Sequence, residues 1–261
     1  MAPPLEELAA RLHRAWANGE LLSPLTEEFP TLGVEEGYRV QDALIAHWEA
    51  EGQRVVGAKL GLTSRAKRRE MGIGQPIYGW LTDLMCLEPP GPVDGLVQPR
   101  GEPEVAFVLD RDLGGPGVTA VHVLAATRAV APAIEVLDSR FRDYRFSLPD
   151  VVADNASSGR FVLGGGFVDP ADLDLATLGC VLELNGEVVA TAAGGAVLGH
   201  PARAVAWLAR TLAVRGRGLR AGQVVLSGGL TSAVPLGPGD LLTATFARLG
   251  DVEVRRSREG R

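Results

Sequence analysis

The chain has 261 residues, 46% of them apolar and 22% charged, an ordinary globular composition long enough to bury a core without disulfides or structural metal. Its net charge of −6 excludes a global basic field that would recruit nucleic acid or anionic lipid. Cys86 and Cys180 stand far apart and read as reduced thiols of a cytoplasmic protein; no apolar run approaches the roughly 18 residues of a membrane span, and Met1-Ala2-Pro3-Pro4 followed by Glu6 and Glu7 lacks a signal-peptide start.

In chain order, Leu5, Leu8, Ala9, Leu12 and Trp16 recur at helical spacing behind the proline pair. A polar connection at 22–32 leads to a second predicted helix, 34–51, ended by Gly52. Residues 1–54 therefore read as an N-terminal helical subdomain, and 55–261 as a strand-rich domain. Strands are predicted over 54–60, 104–110, 133–138, 160–163, 179–184, 187–191, 223–227 and 241–246. Asn185-Gly186 is the strongest hairpin signal. Two helices interrupt, one over 119–131 and one beginning at Pro201, with a frayed polar tail at 255–261. With strands dominant and helices few, the fold class is α+β. A curled mixed sheet, a β-roll, fits better than a doubly wound parallel sheet.

Gly101-Glu102-Pro103-Glu104 carries the sharpest local chemistry. Carboxylates at i and i+2 share one side of an extended chain, and burying two like charges is costly unless a cation neutralises them. Glu135 is a third acid, inside the apolar run Ala133-Ile134-Glu135-Val136-Leu137. Three carboxylates with water suit Mg²⁺ or Mn²⁺, although a solvent-facing pair and a strand-edge Glu would give the same spacing. Lys59 sits in an apolar strand bounded by Gly57 and Gly61; it is either a salt-bridged lysine or one desolvated for proton transfer. Asp83 stands near a turn. The small polar run 152–159 could present hydroxyls and N–H groups to an anion, and Ser227-Gly228-Gly229-Leu230-Thr231 could cradle a carboxylate. Neither is a phosphate-binding loop. None of His13, His47, His122 and His200 shows metal-ligand spacing, and His200 reads as a helix cap. No nucleophile elbow is present.

Taken in order, these segments resemble the hydratase/decarboxylase branch of the fumarylacetoacetate hydrolase superfamily. The text that carries the resemblance is GAKLGLTSRAKRREMGIGQPIYGWLTDLM from Gly57, QPRGEPEVAFVL from Gln98 and PAIEVLDSRFRDYRFSLPDVVADNASSGRFVLGG from Pro132, with GAVLGHPARAVAWLA from Gly195 and LSGGLTSAVPLGPGD from Leu226. The resemblance implies a mixed β-roll behind an N-terminal helical extension, and Mg²⁺ or Mn²⁺ on Glu102, Glu104 and Glu135. It implies catalytic roles for Lys59, Asp83 and Ser157, and substrate contacts from Leu62, Ser158 and Thr231. It also implies a small 2-oxo acid substrate and a homo-oligomer, or a complex with the other enzyme of the hydratase–decarboxylase pair.

Asp143-Tyr144-Arg145-Phe146 and Ser158 follow the decarboxylase form of this text. The reaction expected first is decarboxylation of 2-oxo-3-hexenedioate (4-oxalocrotonate) in aromatic meta-cleavage catabolism; the alternative is hydration of 2-hydroxypenta-2,4-dienoate. A metal-free partner subunit is disfavoured by retention of the three acids and Lys59. Carbon–carbon bond hydrolysis would need a His–Glu pair, and His47 with Glu51 reads only as a helix face. A dicarboxylate substrate needs a cation at its distal end, and Arg140, Arg142 and Arg145 are the candidates, Arg145 first.

Overall fold

The computed structural model describes residues 3–64, 68–69 and 74–258. Positions 65–67 and 70–73 of the family-like text, and 259–261 of the expected frayed tail, lie outside the described residues.

The N-terminal helices form where the apolar spacing places them. Helix α1 (Leu5–Asn18) buries Leu8, Ala9, Leu12 and Ala15 and stops at Gly19, whose φ of 65° suits a helix end. After the short α2 (Leu25–Glu28), helix α3 (Val34–Ala50) packs on α1, with the Trp16 and Trp48 rings edge to face at 5.9 Å. The apolar residues of these helices belong to the same core cluster as those of the sheets. Buried Gln41 of α3 donates to the carbonyls of Tyr78 and Val152, fastening the helical layer to the site-bearing half.

The strands form two sheets. The larger has the order β2–β1–β9–β4–β5–β6–β3: β1 (Val55–Gly61), β2 (Ile77–Thr82), β3 (Cys86–Leu87), β4 (Arg100–Leu109), β5 (Thr127–Leu137), β6 (Ser158–Leu163) and β9 (Val224–Leu226). The two-residue β10 (Val234–Pro235) pairs with the start of β4. The sheet is mixed, with β1–β9 and β3–β6 parallel and the other pairs antiparallel. The smaller sheet, β12–β11–β7–β8, joins β7 (Gly179–Leu184), β8 (Glu187–Ala193), β11 (Leu241–Phe246) and β12 (Gly250–Arg255), and packs on β5. Asn185 and Gly186, at φ 55° and 84°, make the expected β7–β8 turn.

Three elements depart from expectation. The helix expected over 119–131 ends early, as α4 (Ala120–Ala126), and Thr127 begins β5. The Thr127 hydroxyl bonds back to the Val123 carbonyl, and pairing of β5 with β4 outweighs the local helical pattern. Strand β4 starts four residues earlier than expected and includes Pro103. The Pro103 carbonyl accepts from Leu230, so its missing N–H also faces the 227–230 turn and not the β5 ladder. The tail is ordered at its start: Arg255 ends β12, Arg256 binds the Leu236 carbonyl and Ser257 binds Asp94. Strand β2 and the short helix α5 (Leu148–Ala153) were not foreseen. Helix α6 (Pro201–Val214) starts at Pro201 as predicted, with His200 accepting from the Ala202 N–H. Among the described residues no helix is long and apolar enough to cross a membrane.

Candidate metal centre and its cavity

Antiparallel register sets Glu102 of β4 directly opposite Glu135 of β5, and Glu104 one pleat further along the same face. Carboxylate oxygens of the three lie within 4.8 Å of one another. Glu104 and Glu135 are completely buried, and Glu102 partly so. Burial, and then repulsion from Glu135 and Glu102, push the Glu104 carboxyl well above the usual carboxylate range. Its Oε2 accepts the Gly228 N–H at 2.5 Å, while buried Oε1 has no hydrogen-bond partner. An orphaned carboxylate oxygen beside two more acids is what a divalent cation would satisfy, and the donor set suits a hard ion.

Lys59 approaches from across the curl. Two strands separate β1 from β5 in the ladder, yet Lys59 Nζ lies 2.9 Å from Glu135 Oε1. Only a strongly curled sheet allows this. Lys59 is 2% exposed, so the ion pair is shielded from water.

Glu102 and Lys59 line the head of a cavity of about 430 Å³. Leu62, Ile77, Leu148 and Val151 form its apolar side, and Ser157 contributes from a tight turn. Asn155, Ala156 and Ser157 have φ of 49°, 52° and 56°, three consecutive non-glycine residues in the left-handed region, an arrangement that persists only when held from outside. Asn155 bonds both the N–H and the carbonyl of Trp80, at 2.7 and 2.8 Å. Asp154 accepts from Arg140 N–H, from the Ser139 hydroxyl and from Trp16 Nε1. The 152–159 run is thus a buried, braced turn. The 227–231 turn cradles the protein's own carboxylates: a Cβ at Gly229 would collide with Glu102, and one at Gly228 with Thr63.

Several expected site residues fall elsewhere. Asp83 does not line the cavity. It sits beyond Thr82, opposite Val55, and binds the Arg54 guanidinium at 3.0 Å; bonds from Arg54 hold its carboxyl below the usual range. Ser158 alternates away from Ser157, its hydroxyl toward Met85. Thr231 bonds the Ser232 carbonyl, and its neighbours Gly229 and Ser232 face the cavity instead. None of the three candidate arginines reaches the cavity. Arg140 is buried against Asp138 and over the Trp16 ring, while Arg142 and Arg145 are exposed. Besides Lys59, the cavity wall carries the cation of Arg100, its guanidinium 3.9 Å above the Tyr144 ring. Sequence reasoning missed it; the available signal was its place two residues before Glu102, on the same strand face.

Residues 88–255 match the model of the fumarylacetoacetate (FAA) hydrolase C-terminal family. This chain belongs to the fumarylacetoacetate hydrolase family. Within it, the chain is 46% identical over 250 residues to 4-oxalocrotonate decarboxylase of Pseudomonas sp. (strain CF600), covering 95% of both chains. It is 43% identical over 255 residues to 2-hydroxyhexa-2,4-dienoate hydratase of Comamonas testosteroni, covering 96% of this chain and 97% of that protein. The solved 4-oxalocrotonate decarboxylase of Pseudomonas putida G7, complexed with magnesium and adipate, superposes with a TM-score of 0.94 at 43% identity, covering 97% of each chain. Fumarylpyruvate hydrolase of Pseudomonas aeruginosa, at 14% identity and a TM-score of 0.60, shares the family fold.

Proposed function

We propose that this protein is a lyase that decarboxylates 2-oxo-3-hexenedioate to 2-hydroxypenta-2,4-dienoate, using Mg²⁺ or Mn²⁺ held by Glu102, Glu104 and Glu135. The observation that carries this reading is the convergence of three acids, one with an orphaned buried oxygen, beside the buried Lys59. The names of the decarboxylase relatives support it.

In the reaction the C5–C6 bond breaks and CO₂ leaves. The bonding pair becomes the C4–C5 double bond, the C3–C4 pair shifts to C2–C3, and the carbonyl pair comes to rest on the 2-oxo oxygen, which then takes one proton. A divalent cation, when bound, supplies electrostatic stabilisation for charge on that oxygen. Lys59, held against Glu135, can hydrogen-bond a substrate oxygen from Nζ. Ser157 offers its hydroxyl from the braced turn, and Leu62, Ile77 and Val151 exclude water from the conjugated chain.

Hydration of 2-hydroxypenta-2,4-dienoate is a second reading, favoured by the relatives named hydratases at 41–44% identity. Purified protein with Mg²⁺ or Mn²⁺ is assayed on each substrate separately, with product identification. CO₂ release from 2-oxo-3-hexenedioate is the expected result; 4-hydroxy-2-oxopentanoate as sole product from the dienoate, with no CO₂ release, overturns it. A homo-oligomer belongs to the same reading, supported by the open edge strand β8 with Val188 and Val189 exposed.

A further inference from the structure

Arg100, Glu102 and Glu104 alternate along β4 and so share one face of the strand. Two stand among the three acids; the third is a cation at the cavity wall. Its guanidinium lies over Tyr144, and that platform is built from both ends. Tyr144 Oη donates to the Gln98 carbonyl at 3.1 Å, and the Gln98 side chain binds Ser139, Phe141 and Asp143 backbone groups. Residues 139–144 are thereby stapled to the chain entering β4. A guanidinium stacked on a ring keeps its N–H donors in plane and directed outward. Among the described residues none of these donors has a hydrogen-bond or ion-pair partner.

We propose that Arg100, presented on Tyr144, receives the distal carboxylate of the substrate and sets a preference for dicarboxylic 2-oxo acids. The inference rests on the 2-oxo acid reading above. One two-residue step along β4 spans about 6.8 Å. In an extended six-carbon diacid the distal carboxyl carbon lies about 5 Å from C2. A chain held by its C1 and C2 oxygens beside Glu102 therefore brings its far carboxylate within the swing of Arg100. A planar fork matches a carboxylate with two parallel bonds. Because the distal charge moves away as C5–C6 breaks, a cation fixed there binds substrate more tightly than the transition state. Losing it therefore raises KM without lowering kcat.

The test uses two inert probes that differ only at the far end, 2-oxoadipate and 2-oxohexanoate. Each is titrated calorimetrically into the Mg²⁺-loaded protein as wild type, Arg100→Met and Arg100→Lys. The wild type is expected to prefer 2-oxoadipate by about tenfold or more, a charge-assisted pair being at stake. Arg100→Met loses that preference by weakening 2-oxoadipate alone; its 2-oxohexanoate binding, which also reports a folded site, changes by less than about twofold. Arg100→Lys, keeping the charge without the fork, falls between. On 2-oxo-3-hexenedioate the Met variant shows a raised KM. Equal losses on both probes, or unchanged 2-oxoadipate binding in Arg100→Met, overturn the inference. A wild type that binds both probes equally also overturns it and leaves the 2-oxo acid reading standing; a wild type that binds neither overturns that reading as well.

Discussion

Lys59 sits where three carboxylates would otherwise share a dry site without a protein cation, its Nζ against Glu135. From sequence it reads as either a salt-bridged lysine or a proton-transfer group, and the structure makes it an ion-paired lysine facing a cavity, so the two readings are compatible. Lys59→Met is expected to lower turnover by at least about 100-fold if Nζ serves the substrate oxygen. The ion pair adds a second expectation. Removing one partner of a buried pair costs about 3–5 kcal/mol, so the variant should melt well below wild type in EDTA and recover much of that loss in Mg²⁺. Turnover assays and paired melting curves check both, and wild-type activity in the variant would remove Lys59 from the mechanism. The arginine expectation failed at this same scale. Arg140, Arg142 and Arg145 follow the metal-ligand strand closely in sequence, but the chain turns at Asp143 and Tyr144, at φ 58° and 57°, and within 140–145 it is Tyr144 and none of these arginines that lines the cavity.

Among the elements, the short strand β9 and the turn after it govern the site. β9 ends at Leu226, and the chain leaves the sheet as Ser227-Gly228-Gly229 against Glu104, Thr63 and Glu102. Gly228 has φ 104°, a conformation open chiefly to glycine. At Gly229 the obstacle to a side chain is the Glu102 carboxylate, the movable end of a flexible group. Gly229→Ala should therefore fold, yet displace that carboxylate. The expected outcome is a weakening of Mg²⁺ affinity by about 10–100-fold, the range seen when groups supporting metal ligands are altered, with a melting point in EDTA close to wild type. Following the melting point across a Mg²⁺ titration separates the two effects, and an unshifted titration midpoint would refute this account of the turn.

At the scale of the whole molecule, Asp154 joins the helical layer to the cavity. It is completely buried and bonded to Trp16 of α1, to Ser139, to Arg140 and, at 3.4 Å, to the Ser157 hydroxyl. Burial is the main cause that pushes its carboxyl from 3.8 up to about 7, against bonds from Arg140 that lower it. A carboxyl held above its ordinary value binds its proton more tightly in the folded chain. The stability it contributes is present in full below 3.8 and is lost as pH climbs through about 7. Asp154→Asn cannot ionise, so its stability relative to wild type should improve between pH 5.5 and pH 8. Urea midpoints of both proteins in EDTA at the two pH values test the sign; a constant difference would mean Asp154 does not titrate in that window.

The sequence by itself determined what depends on neighbours along the chain. Helical spacing at Leu5, Leu8 and Leu12, the Asn185-Gly186 turn, the proline start at Pro201 and the i, i+2 geometry of Glu102 and Glu104 are short-range consequences of backbone period and residue type. Residue chemistry also singled out Glu135 and Lys59, each a charge inside an apolar strand, and the family text added Ser157; the structure brings Glu135 and Lys59 together and sets Ser157 in the cavity lining. Tertiary structure alone decided what depends on the curl of the sheet and on strand partners. Pairing with β4 turned 127–131 from helix to strand, and Arg54 captured Asp83 at the far end of β1. The curl of the sheet carried Lys59 across two strands to Glu135, and the Gln98 staple set Tyr144 beneath Arg100. These are contacts between residues tens of positions apart, and a local pattern carries no record of them.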